Sequence, residues 1–400
     1  MNDTHFLQYY NQYPWITSPR GLMPKWSFSN GFSTAYKQLK NIGDFIWLKS
    51  GDEIPINSGN LYVSLQYKED GLDKLIQKAI ENPDMNITIG GPHFHTDLNR
   101  DFPSNITPVY DKSVEEHFNI KYSPDNWGLE LPDGFDDIGY NFSLTHTNMD
   151  CYWGKCKYCK WSLKLYKELP VLKIPIIEYP SHKYIGLKSA AVPPNQMRKL
   201  LVDLPKRDDV SYNFYMRANE TSLEMLQDTL PKMKTHNLLI SIGVEFPSNM
   251  MLNYMNKGTT KEIIFEVIKL LSNYEDVRMH LSFMLGWGNL KWDYVYEAEE
   301  WLDNLNETVN LNKITMVLYR LFILKGTRIF YNTPTTSVKE TKYGSYFCIL
   351  NDEQQQMDNY LRTLYYKYFS SRILDYYNDN RHPHEFTRNK ESWTTENQMS

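Results

Sequence analysis

The chain reads as an α/β protein: an open barrel of six parallel β/α units, preceded by a small parallel α/β domain and followed by a helical extension. Three observations carry that reading. Short β-rich runs alternate with helix-like segments, the pattern of βαβ units rather than of hairpins. Six such units follow one another between residues 140 and 330, close to the roughly 30 residues that each βαβ unit needs. Hydrophobic residues make up 41% of the 400 residues and charged ones 23%, enough apolar side chains for a packed core.

In order along the chain, residues 1–30 read as irregular, with three Pro and one Gly. Residues 33–41 read as a helix, DFIWL (44–48) and YVSL (62–65) as strands, and 72–81 as a helix. ITI (87–89) is a strand that ends in Gly90-Gly91-Pro92, and Val109 and Tyr110 open a fourth strand before a short VEEHF helix. These elements form a first domain over 1–120. The turn-rich KYSPDNWGLELPDGFDD falls in a linker over 121–139. The barrel strands are expected at 140–145, 184–187, 211–216, 238–242, 279–284 and 314–322. Helices are expected at 194–202, where Pro sits in the first turn, and at 222–233, 260–271 and 292–304. Eight-fold closure would need more chain, so the barrel, residues 140–330, is read as partial. In the extension, 331–400, Met357, Leu361, Leu364 and Tyr368 recur at spacings of three and four. That is one apolar stripe on a helix over 352–377, expected to close the barrel. The tail beyond is polar, and His382 and His384 in it read as solvated rather than as ligands.

Charge and cysteine usage narrow the function. Lys and Arg number 43 against 48 Asp and Glu, a net charge of −5, which excludes a generally basic nucleic-acid-coating protein. No apolar run approaches the ~20 residues of a membrane span, and MNDTHFLQYYNQYPW has no signal-peptide layout. A cytoplasmic protein is expected. Three of the four cysteines, Cys151, Cys156 and Cys159, fall within nine residues, in CYWGKCKYC. A disulfide scaffold needs more cysteines in a shorter secreted chain, so the three read as metal ligands. Two groups suit them. A closed zinc site needs a fourth ligand, for which His146 stands at an unusual spacing. A [4Fe–4S] cluster on three thiolates leaves one iron open to a small molecule. Cys348, in YGSYFCILN, reads as a buried small hydrophobe.

In a β/α barrel, function collects at the carboxyl ends of the strands. The cysteine loop follows the first strand, Lys188 and Ser189 follow the second, Arg217 ends the third, Glu245 lies just past the fourth, and Gly286 ends the fifth. Singly, each has a structural explanation; together, they favour a ligand pocket.

The stretch 140–325 resembles the core of radical S-adenosylmethionine (SAM) enzymes. The resemblance rests on MDCYWGKCKYC, MRANE, IGVEFPSNMMLNYMNKGTT and HLSFMLGWGN. The fourth-strand block is similar to that of methylthiotransferases and the elongator enzyme. The cysteine string is similar to those of peptide-maturation and cobalamin-linked members. One feature departs from the family: C-x4-C-x2-C replaces the usual C-x3-C-x2-C, and Gly154 is the residue able to absorb the insertion. The resemblance implies a TIM-like partial (β/α)6 barrel in which Cys151, Cys156 and Cys159 hold three irons of a [4Fe–4S] cluster and SAM chelates the fourth. Reductive cleavage of SAM would yield a 5′-deoxyadenosyl radical, with flavodoxin or ferredoxin as electron donor. The resemblance places Tyr158 against adenine, Glu245 at the ribose hydroxyls and Arg217 at the SAM carboxylate. Lys188 and Ser189 stand where many members carry Gly-Gly-Glu for the amino group, and that motif is absent here.

Residues 1–150 contain no Cys, whereas a methylthiotransferase would place cluster ligands there. Instead SLQYKEDGLDKLIQKAIENPDMNITIGGPHFH (64–95) resembles the Rossmann-like cobalamin-binding domain that precedes many radical SAM cores. Gly90, Gly91 and His93 are its candidate site residues. The Asp-x-His-x-x-Gly motif for a lower axial ligand is absent, so a functional cobalamin site and a degenerate domain that shapes the substrate pocket both stand. The expected activity is radical modification, including methylation, of a substrate for which a peptide or small molecule is favoured over tRNA. The alternative is a non-catalytic, zinc-stabilised α/β binding module.

Overall fold

The computed structural model describes residues 3–12, 26–28, 39–49, 52–65, 72–90, 101–109, 117–119, 143–144, 151–159, 184–187, 191–203, 211–233, 237–324, 327–340 and 346–375. The chain divides into two compact units, the first over 1–145 and the second over 146–383.

The first unit is built on β1 (Thr4–Gln12), β2 (Trp26–Phe28), β3 (Asp44–Lys49), β4 (Gly59–Ser64), β5 (Met85–Gly90) and β6 (Ile106–Pro108). Strand β1 pairs in parallel with both β3 and β4, β4 with β5, and β5 with β6; only β2 is antiparallel. The parallel strands therefore run β3-β1-β4-β5-β6. Helix α1 (Leu72–Glu81) connects β4 to β5 as anticipated, and it buries Leu72, Leu75 and Ala79 against Leu7, Leu61, Val63, Ile87 and Ile89. Phe6, next to Leu7, faces the opposite side of the sheet, where it stacks on Phe45 at 5.0 Å and on Tyr62 at 5.6 Å. A central parallel strand is buried on both faces. This corrects the reading of residues 1–30 as irregular: residues 4–12 form a strand, and its adjacent residues Phe6 and Leu7 are both buried, one on each face of the sheet. The fourth strand lies at 106–108, earlier than expected. Of the helix expected over 33–41 only its last residues are described, and there the amides of Ile42 and Gly43 turn back onto the Leu39 carbonyl.

A seven-stranded sheet has the order β15-β12-β11-β10-β9-β8-β7, and all of its strands but β7, which ends before residue 145, lie in the second unit. Its strands are β7 (Ser143–Leu144), β8 (Tyr184–Leu187), β9 (Ser211–Met216), β10 (Leu238–Glu245), β11 (Val277–Leu285), β12 (Ile314–Arg320) and β15 (Ile373–Asp375); β13 (Val338–Glu340) and β14 (Tyr346–Cys348) form a separate hairpin. From β8 through to β15 every neighbouring pair is parallel. The helices are α2 (Pro194–Asp203), α3 (Glu220–Thr229), α4 (Asn249–Tyr254), α5 (Lys261–Ser272), α6 (Trp292–Thr308), α7 (Arg328–Asn332) and α8 (Asp352–Phe369). Helices α2, α3, α5, α6 and α8 pack each on the next. Asn219, Ser248, Thr260 and Asn351 each cap a helix by accepting a backbone N–H through the side chain, which satisfies donors the first turn leaves open.

The sheet has two unlike faces because successive residues point to opposite sides. Phe214, Ile240, Ile242, Leu281, Phe283, Met316 and Leu318 are fully buried. The alternate residues are more polar: Tyr215, Ser241, His280 and Thr315 stand in register in one row across β9 to β12. The carboxyl ends of β9, β10, β11 and β12 point the same way and gather the loops that carry Arg217, Glu245 and Gly286.

One difference from expectation changes the architecture. The last helix stops at Phe369 rather than at 377, where Ser370 turns the backbone to φ +44°. The chain then enters β15, which pairs with β12. The apolar stripe continues through Tyr365 and Phe369 rather than Tyr368. This C-terminal segment is therefore another β/α unit of the sheet. Among the described residues no helix is long and apolar enough to cross a membrane.

Candidate functional site

The cysteine loop, residues 151–159, is held by the segment after α4. The Lys157 amide donates to the Met255 carbonyl at 2.9 Å, Asn256 Nδ2 donates to the Lys155 carbonyl at 3.0 Å, and Trp153 Nε1 donates to the Asn256 carbonyl at 2.9 Å. Gly258, at φ +65°, completes the seat: a Cβ there would lie 2.2 Å from Trp153 Cζ2. The MNKG part of the fourth-strand string thus acts as a platform for the loop. Within the loop Gly154, between Cys151 and Cys156, takes φ +56°, a backbone conformation that suits glycine.

Arg217 follows β9 and is 5% exposed. Its Nη2 donates to the Lys257 carbonyl, and its guanidinium lies 4.6 Å from the Trp153 ring centroid and 5.5 Å from that of Tyr152. Among the described residues its Nε and Nη1, both buried, have no hydrogen-bond partner. Two unmatched cationic donors form a receptor for an anion such as a carboxylate.

Glu245 ends β10 after a break in register with β11, and its backbone lies at φ +66°. Its Oε1 is 2.6 Å from Lys257 Nζ, with both side chains largely buried. The ammonium also donates to Tyr158 Oη at 3.4 Å. Burial pulls the Lys257 ammonium down, but Glu245 and then Cys156 outweigh it and the net shift is upward. Tyr158 is pushed well above the ordinary phenol range by burial first, then by Glu245, Cys156 and Cys159. Burial raises the Cys156 thiol, against the pull of Lys257 and Arg217. Behind Tyr158 stands Trp287, edge-on at 6.1 Å, with Tyr254 on the same indole at 6.3 Å.

The structure therefore brings together Cys156, Tyr158, Arg217 and Glu245, with Cys151 close enough to Cys156 to act on its thiol. Gly286 has other neighbours: it turns the chain at φ +83° and donates its amide to Asp358 Oδ1 at 3.0 Å. Gly90 ends β5, and its carbonyl accepts the Leu65 amide. Lys188, Ser189, Gly91 and His93 lie outside the described residues, as do His146, His382 and His384. Lys257 is the residue that sequence reasoning missed, although it stands in the string that carries the resemblance. Cys348 is buried as expected, with the Gly288 amide bonded to its thiol.

None of the four cysteines is in a disulfide. Among the described residues no three His, Cys, Asp or Glu side chains gather round a single ion site. A cubane takes each thiolate on a different iron, so its ligands need not meet on one ion. Three unbridged thiols on one anchored loop, beside two buried cations able to offset thiolate charge, match the donor chemistry of that group.

No protein-family model and no curated protein matches the sequence. Among solved structures the chain is similar to the cobalamin-dependent S-adenosylmethionine radical enzyme OxsB with aqua-cobalamin and S-adenosylmethionine bound. The TM-score is 0.63 at 14% identity, over 90% of this chain and 66% of that one. Apo, selenomethionine-labelled OxsB gives 0.58 at 15%, over 90% and 65%. The chain thus spans slightly less than two thirds of the length of OxsB, and at this identity the likeness is one of fold: mixed α/β with parallel sheets, shared with a radical SAM enzyme.

Proposed function

We propose that the chain is a radical SAM enzyme that cleaves S-adenosylmethionine reductively and uses the resulting radical to modify a substrate. The observation that carries this reading is the docking of a three-cysteine loop beside Arg217, Glu245 and Tyr158 at the carboxyl ends of parallel strands, the end where such sheets work. On this reading the second unit is a partial β/α barrel of the kind found in methylthiotransferases and the elongator enzyme. Cys151, Cys156 and Cys159 would hold a [4Fe–4S] cluster, which when bound supplies one low-potential electron. Arg217 would pair its two open N–H groups with the SAM carboxylate, Glu245 would accept from the ribose hydroxyls, and Tyr158 with Trp287 would wall the adenine from water.

One observation favours a cobalamin partner. The first unit has the parallel order β3-β1-β4-β5-β6, which by strand number is 2-1-3-4-5, a doubly wound sheet that binds ligands beyond the carboxyl ends of its strands. Gly90 lies at one such end, and Gly91 and His93 follow it. Cobalamin there would make methyl transfer the reaction. A peptide or small molecule fits the net charge of −5 better than tRNA, and flavodoxin or ferredoxin would deliver the electron.

Anaerobic reconstitution tests the reading. We expect about four irons per chain, absorbance near 400 nm from iron–sulfur charge transfer, and 5′-deoxyadenosine on adding SAM and dithionite. Cys156→Ala should abolish nucleoside release with the circular dichroism spectrum unchanged. A colourless protein holding one zinc would establish the binding-module alternative instead, and a retained corrinoid would mark the enzyme as cobalamin-dependent.

A further inference from the structure

Lys257 has no role in the mechanism above, yet it is 6% exposed and stands at the centre of the site. A buried ammonium is costly unless it is paired, and its partners here are two residues assigned to the nucleoside: Glu245 Oε1 at 2.6 Å and Tyr158 Oη at 3.4 Å. Its own backbone is pinned as well. The Lys257 amide donates to the Leu252 carbonyl at 2.9 Å, and its carbonyl accepts from Arg217. The chain also makes room for the pair. A Cβ on Gly243 would lie 2.3 Å from Glu245 Oε1 and 2.8 Å from Lys257 Nζ, so the ion pair folds back over strand β10 at the one position without a side chain. Glu245 holds φ +66°, a backbone region that a non-glycine residue keeps only where its surroundings impose it.

We propose that Lys257 is a positioning residue for SAM. It fixes one oxygen of the Glu245 carboxylate, so that the other is presented in a single orientation to the ribose diol, and it holds the Tyr158 ring at the adenine. The inference deepens the radical SAM reading and rests on it. Lys257 acts through Glu245 and Tyr158, and the binding energy it organises is spent on the nucleoside rather than on the cluster ligands.

The test uses reconstituted full-length protein and compares Lys257→Met, Lys257→Arg, Gly243→Ala and the double variant Lys257→Met/Glu245→Gln with wild type. Dissociation constants are measured for SAM, and for 5′-deoxyadenosine against 2′,5′-dideoxyadenosine, alongside iron content. We expect Lys257→Met and Gly243→Ala to weaken SAM binding about tenfold or more, with iron content unchanged. Both should lose the preference for the nucleoside that carries the 2′-hydroxyl, which wild type and Lys257→Arg keep. The double variant removes both buried charges and so guards against misfolding caused by an unpaired carboxylate. It should bind SAM no worse than Lys257→Met. Wild-type affinity and diol preference in Lys257→Met would overturn the inference alone. Equal losses for both nucleosides in every variant would reduce Lys257 to a structural role and overturn it too. A wild-type protein that takes up neither iron nor SAM would overturn the functional reading, and the inference with it.

Discussion

At the scale of single residues, the Cys156 thiol lies within electrostatic reach of Lys257, Arg217, Cys151 and Glu245. Three thiols in nine residues read as a ligand set from residue type and spacing alone. Arg217 and Glu245 could be placed because each falls directly after a recognisable strand. Lys257 could not be assigned a role, because its meaning lies in a carboxylate twelve residues away and a phenol ninety-nine residues away, and no local pattern encodes those contacts. His280 shows the same limit. It lies in the polar row of the sheet, and burial alone lowers its imidazole from 6.5 to about 4. The folded state therefore refuses a proton that the unfolded chain accepts between those values. Stability is complete above about pH 6.5 and falls as the solution is acidified toward pH 4, by at most about 3 kcal/mol. Urea unfolding of His280→Gln should show that much less loss than wild type between pH 7 and 4.5; parallel losses would mean the imidazole takes up its proton in the folded state.

At the scale of elements, the six barrel strands of the sequence reading all have counterparts within the described residues, because β-rich runs with buried apolar side chains at alternate positions, such as Ile240 and Ile242 or Leu281 and Phe283, are visible in the sequence. The elements that escaped were those whose burial comes from elsewhere. Strand β1 mixes Gln, Tyr and Asn with Phe6 and Leu7, and β15 is three residues long, too short for any period to show. Helix α4 is six residues long and capped by Ser248, and the loop behind it holds up the cysteines. That support depends on Gly258 for two separate reasons, its left-handed backbone and the indole pressed against it. Gly258→Ala should therefore cost about 2–4 kcal/mol, from the backbone penalty of an L-residue there and from overpacking against Trp153. It should also lower iron uptake, because Trp153 lies between the first two cysteines. Full iron loading with an unchanged thermal midpoint would show that the platform yields without consequence.

At the scale of the whole molecule, the second unit extends further along the chain than the sequence predicts. Reading 331–400 as an extension followed from a single amphipathic helix with nothing recognisable after it. The structure instead makes that helix and the strand after it part of the sheet. Met357, Leu361, Leu364, Tyr365 and Phe369 are all buried, and Phe283 of β11 has Tyr365 at 5.0 Å and Phe369 at 6.5 Å. Arg362 and Asp375 join helix to strand through a contact of 2.6 Å. Asp358, 1% exposed, takes the amide of Gly286 at the mouth of the sheet. Five buried side chains at about 1.5–3 kcal/mol each represent on the order of 10 kcal/mol, which rivals the entire stability of a typical domain. Beta-strand β12 would also become an open edge. A chain ending at residue 350 should accordingly lose cooperative thermal unfolding and, with it, iron uptake by the proposed cluster site. If α8 were an appendage, that shortened chain would melt in a single sharp transition and still load iron; a differential scanning calorimetry trace paired with an iron assay separates the two outcomes.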